Sequence, residues 1–314
     1  MGMTRAFIFP GQGSQSVGMG RALFDASAAA RAVFEEVDEA LRQKLSTLMF
    51  EGPEDALTLT ENAQPAIMAN AIAALRVLEA ECGISLADSA SFVAGHSLGE
   101  YTALCAAGAI SLADTAALLK LRGRAMQAAV PVGEGAMAAL LGVDYDIAAK
   151  AAAEGAAGEV CEVANDNAPG QVVISGHKAA VERAIEAAKA MGAKRGIMLP
   201  VSAPFHSALM APAAEAMEAA LAEAHIQAPF VPVVANVTAA PVSEPDAIRA
   251  LLVRQVTGTV RWRESVSAMV GLGVAAFHEF GGKVLGPMIK RIEPDAATWS
   301  LVTMADIEAA ASAI

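Results

Sequence analysis

The chain has 314 residues, 55% of them hydrophobic, and a formal net charge of −12 at neutral pH. That length supports one large domain or a large one with a smaller companion, and the acidic balance excludes nucleic acid as a general partner, since phosphate binding needs a dense basic face. No membrane span is expected either, because the longest uncharged stretches, 196–214 and 224–243, are interrupted by Pro200, Pro204 and Pro212 and by Pro229, Pro232 and Pro241.

Ala6-Phe7-Ile8-Phe9 reads as a first buried strand ending at Pro10. It is too short for the apolar segment of a signal peptide. Helices are expected over 20–41 and 66–81, a strand over 90–94, then helices over 100–107 and 112–129. Near Pro131 the character changes: strand 135–142, helix 145–154, strands 160–163 and 171–175, helix 178–191 and strand 195–199. This β-α-β-β-α-β order is ferredoxin-like. It reads as a small subdomain, 131–199, inserted into a large domain made of 1–130 and 200–314. The large domain resumes with helix 213–224, strand 230–236, helix 246–257 and strand 275–280. Alternating strands and amphipathic helices make the fold α/β with a mostly parallel sheet. Cys82, Cys105 and Cys161 are too few and too scattered for a disulfide framework or a metal site, and fit a reducing cytoplasm.

Gly95-His96-Ser97-Leu98-Gly99 falls where the strand 90–94 should run into a helix. A G-x-S-x-G turn in that place is a nucleophile elbow: the glycines remove bulk where strand and helix nearly touch, and the serine sits exposed on a strained turn. An oxyanion hole needs two backbone donors. Leu98, directly after the serine, supplies one, and the loop Gly11-Gln12-Gly13-Ser14-Gln15 after the first strand is placed to supply the other. Its spacing is not the G-x-G-x-x-G of a dinucleotide loop.

A serine nucleophile needs a base. His96 neighbours it on a sharp turn and points another way. His177 opens a helix, where satisfying helix-end groups explains it; His225 ends one, where positive charge is favourable; and His278 reads as a satisfied histidine in a buried strand. His206 lies in the proline-stiffened loop Val201-Ser202-Ala203-Pro204-Phe205-His206-Ser207 and is the candidate base. The acids between serine and histidine, Asp144, Asp146 and Asp166, fall in the insert, so a Ser-His dyad is expected. A backbone carbonyl or a glutamine side chain would orient its imidazole. Arg122 has two open readings, a solvated side chain on a helix flank or a buried guanidinium that takes a carboxylate in a bidentate pair.

Together these residues resemble the malonyl-CoA:acyl carrier protein transacylase family over nearly the whole chain. The resemblance is carried by 9–15 (Phe-Pro-Gly-Gln-Gly-Ser-Gln), 95–101 (Gly-His-Ser-Leu-Gly-Glu-Tyr), Arg122-Gly123, 167–176, Pro204-Phe205-His206-Ser207, Val253-Arg254-Gln255 and Val260-Arg261-Trp262. It implies an α/β-hydrolase-like domain with a ferredoxin-like subdomain, and a ping-pong transfer of malonyl from malonyl-CoA to the phosphopantetheine thiol of acyl carrier protein. Ser97 would be acylated, His206 would be base and then acid, and the Gln12 and Leu98 amides would form the oxyanion hole. Arg122 would bind the malonyl carboxylate and the Gln255 carbonyl would orient the imidazole, with Asn167 and Phe205 in support. Phe205 and Leu98 resemble the malonyl-selective members. A monomer in the cytoplasm is implied, with no metal or redox cofactor. One departure is Glu279-Phe280-Gly281-Gly282-Lys283-Val284-Leu285, one residue shorter than the family's usual Glu-x-Gly-x-Gly-Lys-Val-Leu.

Three other readings stand beside this one: an esterase using the same elbow, a stand-alone acyltransferase serving a polyketide synthase or malonate decarboxylase, and a docking module with a vestigial site. Arg261, Arg263, Lys283, Lys290 and Arg291 are read either as a carrier-docking patch or as a solvated face.

Overall fold

The structure is a computed structural model and describes residues 4–201 and 203–314. Ser202 of the His206 loop and residues 1–3 lie outside the described residues. Ten strands occur among those described: β1 Thr4–Phe9, β2 Phe92–Gly95, β3 Gly135–Leu141, β4 Cys161–Ala168, β5 Gln171–His177, β6 Arg195–Met198, β7 Val233–Ala235, β8 Ala240–Val242, β9 Val274–Phe280 and β10 Ala297–Leu301.

They form two sheets. One has six strands in the order β10-β9-β1-β2-β7-β8, parallel except for β8, which pairs antiparallel with β7. The other has four antiparallel strands in the order β4-β5-β3-β6. The helices Tyr145–Ala156 and Lys178–Ala190 pack on this smaller sheet around a core of their own, which includes Leu140, Val172, Ile174 and Val181.

In the six-stranded sheet the chain runs outward from β1 through β2 and β7, then returns to the other side of β1 with β9. Such a reversal leaves a crevice at the carboxyl ends of the strands, where ligands of open α/β sheets bind. The register pairs Phe9 with Gly95 at that edge, so the loop after β1 and the turn after β2 emerge side by side.

Behind the sheet runs the helix Thr60–Cys82, buried almost continuously from Asn62 to Leu78. A helix apolar all round belongs inside a core, and its alanines let neighbouring helices approach closely. It begins well before residue 66, because Pro65 is accommodated inside it and does not stop it. The helix expected over 20–41 is two, Arg21–Ala26 and Ala28–Leu41, divided at Ser27, whose side chain accepts the Ala30 amide and caps the second. Beyond residue 280 two further helices, Leu285–Ile292 and Met304–Ala311, flank β10.

The contacts of the helix Leu98–Ala106 with β2 and with the end of β1 leave no room for side chains. A Cβ on Gly95 would lie 1.9 Å from the Gly99 carbonyl carbon, and one on Gly99 would lie 2.3 Å from the Phe9 carbonyl oxygen. Both obstacles are backbone, so they cannot swing aside. Gly95→Ala is therefore expected to destabilise the protein by about 3 kcal/mol or more, read as a lowered urea midpoint. An unchanged midpoint would mean the elbow is not this tight.

Candidate active site

The turn between β2 and the helix Leu98–Ala106 carries Ser97 at φ 53° and ψ −113°, the strained backbone expected of an elbow. Its Oγ lies 2.7 Å from His206 Nε2. His206 itself has φ 56° and is almost fully buried. Its Nδ1 faces two carbonyl oxygens, Gln255 at 2.9 Å and Gly258 at 3.1 Å. Carbonyls only accept, so the ring proton sits on Nδ1 and Nε2 is left to accept from the serine hydroxyl. No carboxylate takes part. Asp144 caps the helix Tyr145–Ala156 and Asp166 pairs with Arg263. Burial first, and the Arg122 charge second, push the His206 imidazole down to about 3, so it is held neutral.

Arg122 is buried in the helix Leu112–Ala128, and the solvated reading does not hold. Its guanidinium donates to Gln64 Oε1 at 2.8 Å, Gln255 Oε1 at 2.9 Å and Ser97 Oγ at 3.2 Å, and lies 5.6 Å from the Tyr101 ring centre. All of these partners are uncharged. Among the described residues no carboxylate forms a salt bridge with it. Glu100, the acid in this network, is buried and pushed up to about 7 by desolvation.

A cavity of about 310 Å³ opens over these groups, lined among others by Gln12, His96, Ser97, Leu98, Arg122, Met126, Phe205 and His206. Among the described residues neither the Gln12 nor the Leu98 amide is engaged in a hydrogen bond. Asn167 Oδ1 accepts the His96 Nε2–H at 2.7 Å, so His96 turns away from the serine, as its place on the turn predicts.

Gln12, Ser97, Leu98, Arg122, Phe205 and His206 line this one cavity, and Gln255 and Asn167 are hydrogen-bonded to residues that line it. Three residues of the network were not singled out: Gln64, Asn236 and, as more than part of a motif, Glu100. Asn236 takes the Ser97 amide on Oδ1 at 2.8 Å and donates Nδ2 to the Gly95 carbonyl at 2.7 Å. The available signal was a polar residue inside an apolar run, Gln64 before Pro65-Ala66-Ile67 and Asn236 after Val233-Val234-Ala235.

Two other histidine readings are corrected. His278 is fully buried, yet neither ring nitrogen has a hydrogen-bond partner among the described residues. It is held by ring contacts, stacked on Trp299 at 6.4 Å and tilted against Phe7 at 5.5 Å, and burial pushes it down to about 4. His177 satisfies a strand end and not a helix end, its Nδ1 accepting the Val160 amide at 3.0 Å. The shortened loop is well tied: Glu279 accepts the amides of Val284, Leu285 and Gly286 at 2.8 to 3.0 Å. The five basic residues of the suggested patch are each engaged: Arg261 with Glu264, Arg263 with Asp166, Lys283 with Asp306, Lys290 with the Pro294 carbonyl and Arg291 with Gln171.

Among the described residues no helix is long and apolar enough to cross a membrane, and no group of three or more His, Cys, Asp or Glu could hold a metal ion. Residues 6–281 match the acyl transferase domain family. Fold and match together define an acyltransferase. The chain is 47% identical over 292 residues to the malonyl CoA-acyl carrier protein transacylase of Bacillus subtilis, covering 91% of this chain and 90% of that one. The acyl-carrier-protein-S-malonyltransferase structure from Bartonella henselae superimposes with a TM-score of 0.96 at 54% identity, covering 98% of each chain. A structure described as a type II PKS acyl-carrier protein in complex with its malonyl-transacylase gives 0.95 at 41% identity, covering 98% of this chain and 99% of that one. The chain belongs to the malonyl CoA-acyl carrier protein transacylase family.

Proposed function

We propose that this protein carries malonyl from coenzyme A to the phosphopantetheine thiol of acyl carrier protein through an ester on Ser97. Ser97 Oγ attacks the thioester carbonyl while His206 Nε2 takes the hydroxyl proton. The Gln12 and Leu98 amides receive the oxyanion. As the carbon–sulfur bond breaks, His206 returns the proton to the departing thiolate, leaving neutral imidazole and the malonyl ester. The carrier thiol then reverses the sequence. Gln255 and Gly258 hold the imidazole by their carbonyls, while Asn167 steadies His96 and Phe205 walls the cavity beside the base. No metal or redox group enters any step.

One observation carries the choice of malonyl. Arg122 lies 3.2 Å from the nucleophile with only uncharged partners, and a buried guanidinium gains most from a carboxylate counter-charge. An esterase has no use for that charge. The two units 1–130 with 200–314, and 131–199, fit a cleft between large and small domains, and the free thiols of Cys82, Cys105 and Cys161 fit an enzyme of the reducing cytoplasm. The complex with a polyketide carrier in the family favours a second acceptor class, with identical chemistry at Ser97.

Incubation with malonyl-CoA should place a malonyl ester on Ser97, detected by peptide mass spectrometry, and added holo carrier protein should remove it. Equal uptake of acetyl from acetyl-CoA, or loss of the ester to water alone, would contradict the proposal.

A further inference from the structure

A residue at φ 53° and ψ −113° keeps that conformation only where its surroundings over-determine it. At Ser97 the restraint comes largely from side chains. Its amide donates to Asn236 Oδ1 at 2.8 Å, and its carbonyl accepts Gln255 Nε2 at 2.9 Å besides the Glu100 amide at 3.0 Å. Asn236 then reaches back two residues, donating Nδ2 to the Gly95 carbonyl at 2.7 Å. The two peptide groups that flank His96 and lead into Ser97 are thus tied to one amide side chain.

Asn236 is itself fixed. It follows β7, the neighbour of β2 in the sheet, and is fully buried. Its main-chain N–H donates to Glu100 Oε2 at 3.0 Å and its carbonyl accepts the Arg261 amide at 3.0 Å. Its side-chain amide has one allowed orientation, because a flip would set Nδ2 against the Ser97 N–H and Oδ1 against the Gly95 oxygen.

We propose that Asn236 is a positioning residue for the nucleophile, bridging the Ser97 N–H and the Gly95 carbonyl so that the strained turn keeps Ser97 Oγ aligned with His206. It touches no reacting atom and acts through the Ser97 backbone. It also withdraws the Ser97 amide from the cavity, which leaves the Leu98 and Gln12 amides as the donors facing the substrate. The inference rests on Ser97 being the acylated residue.

The test compares Asn236→Ala and Asn236→Asp with wild type in single-turnover acylation by malonyl-CoA, in Ser97 labelling by a fluorophosphonate, and in thermal melting. Folded Asn236→Ala should acylate and label about 100-fold more slowly, with KM for malonyl-CoA unchanged. Asn236→Asp should regain activity as pH falls. A protonated carboxyl has the shape of the amide and donates to the Gly95 oxygen, whereas the ionised form opposes it with an acceptor. Glu100, Arg122 and His206 face the same network in all three proteins, so their titration is read from wild type. Folded Asn236→Ala acting at the wild-type rate, a loss shared equally by KM, or one pH profile for both variants would overturn the proposal. Should Asn236→Ala not fold, the Asn236→Asp profile decides: a wild-type profile overturns it. Fluorophosphonate labelling that depends on Asn236 without malonyl transfer in wild type would defeat the proposed function and leave this inference standing.

Discussion

His206→Ala is expected to slow acylation of Ser97 about 10⁴-fold while leaving binding of malonyl-CoA intact, since Arg122 and its partners do not depend on the imidazole. The same histidine sets an unusual pH dependence. Burial and the Arg122 charge push it down to about 3 in the free enzyme, well under the ordinary histidine value. A histidine with a depressed pKa is neutral, and so competent as a base, at every pH above that value. The acid limb of kcat/KM, which reports the free enzyme, should therefore fall far below pH 6.5. In the acyl-CoA complex a malonyl carboxylate offsets the Arg122 charge, so the acid limb of kcat should lie at higher pH than that of kcat/KM. Coincident limbs near 6.5 would show that His206 is not shielded in this way. Glu100→Gln removes the other group of the network that titrates in the range, since Glu100 is pushed up to about 7.

The second large effect concerns substrate choice. Arg122→Ala should reduce kcat/KM for malonyl-CoA by about two to four orders of magnitude, the usual consequence of removing one partner of a buried ion pair, about 3–5 kcal/mol. Acetyl-CoA has no carboxylate to lose, and the charge that depresses His206 is gone, so acetyl transfer should hold or rise. Arg122→Lys should recover little, because a compact ammonium cannot reproduce the planar fork that spans Gln64 and Gln255. Parallel kcat/KM measurements with the two thioesters decide it. A malonyl preference that survives Arg122→Ala would assign selectivity to some other group.

The contrast between what was legible in the sequence and what was not follows from how local each signal is. Ser97 was legible because its conformation demands glycines at fixed spacing on either side, and those are neighbours in the chain. His206 was legible as a polar residue in a proline-stiffened loop at the right place in the order of elements. Asn236 was not, because its partner Ser97 lies 139 positions away, and one asparagine after an apolar strand reads equally well as a turn residue. Gln64 is hidden similarly, 58 positions from Arg122 and beside a proline that reads as the end of a helix. His278 misled for a different reason. A buried histidine implies hydrogen bonds, but this one is held by ring contacts, one stacked and one tilted, which leave no mark in a linear pattern.

The helix expected over 20–41 failed by one residue, Ser27, which serves equally as a helix interior position in sequence and as a cap in the fold. The sheet order was legible as a class but not as a register, since strand pairing depends on contacts between distant segments.

Gln255 joins parts of the site that a redesign would want to treat separately. Its main-chain carbonyl holds His206, its Oε1 holds Arg122 and its Nε2 holds the Ser97 carbonyl. Raising transfer of an uncharged acyl group beyond what Arg122→Ala allows takes more than that one change, because it leaves the Gln64 and Gln255 oxygens without their donor. Replacing Gln255 to mend that would loosen the nucleophile turn. Selectivity and reactivity are thus wired through one side chain, so a route to a new substrate has to pass through Gln64 and the cavity wall at Met126 and Phe205, with Gln255 kept.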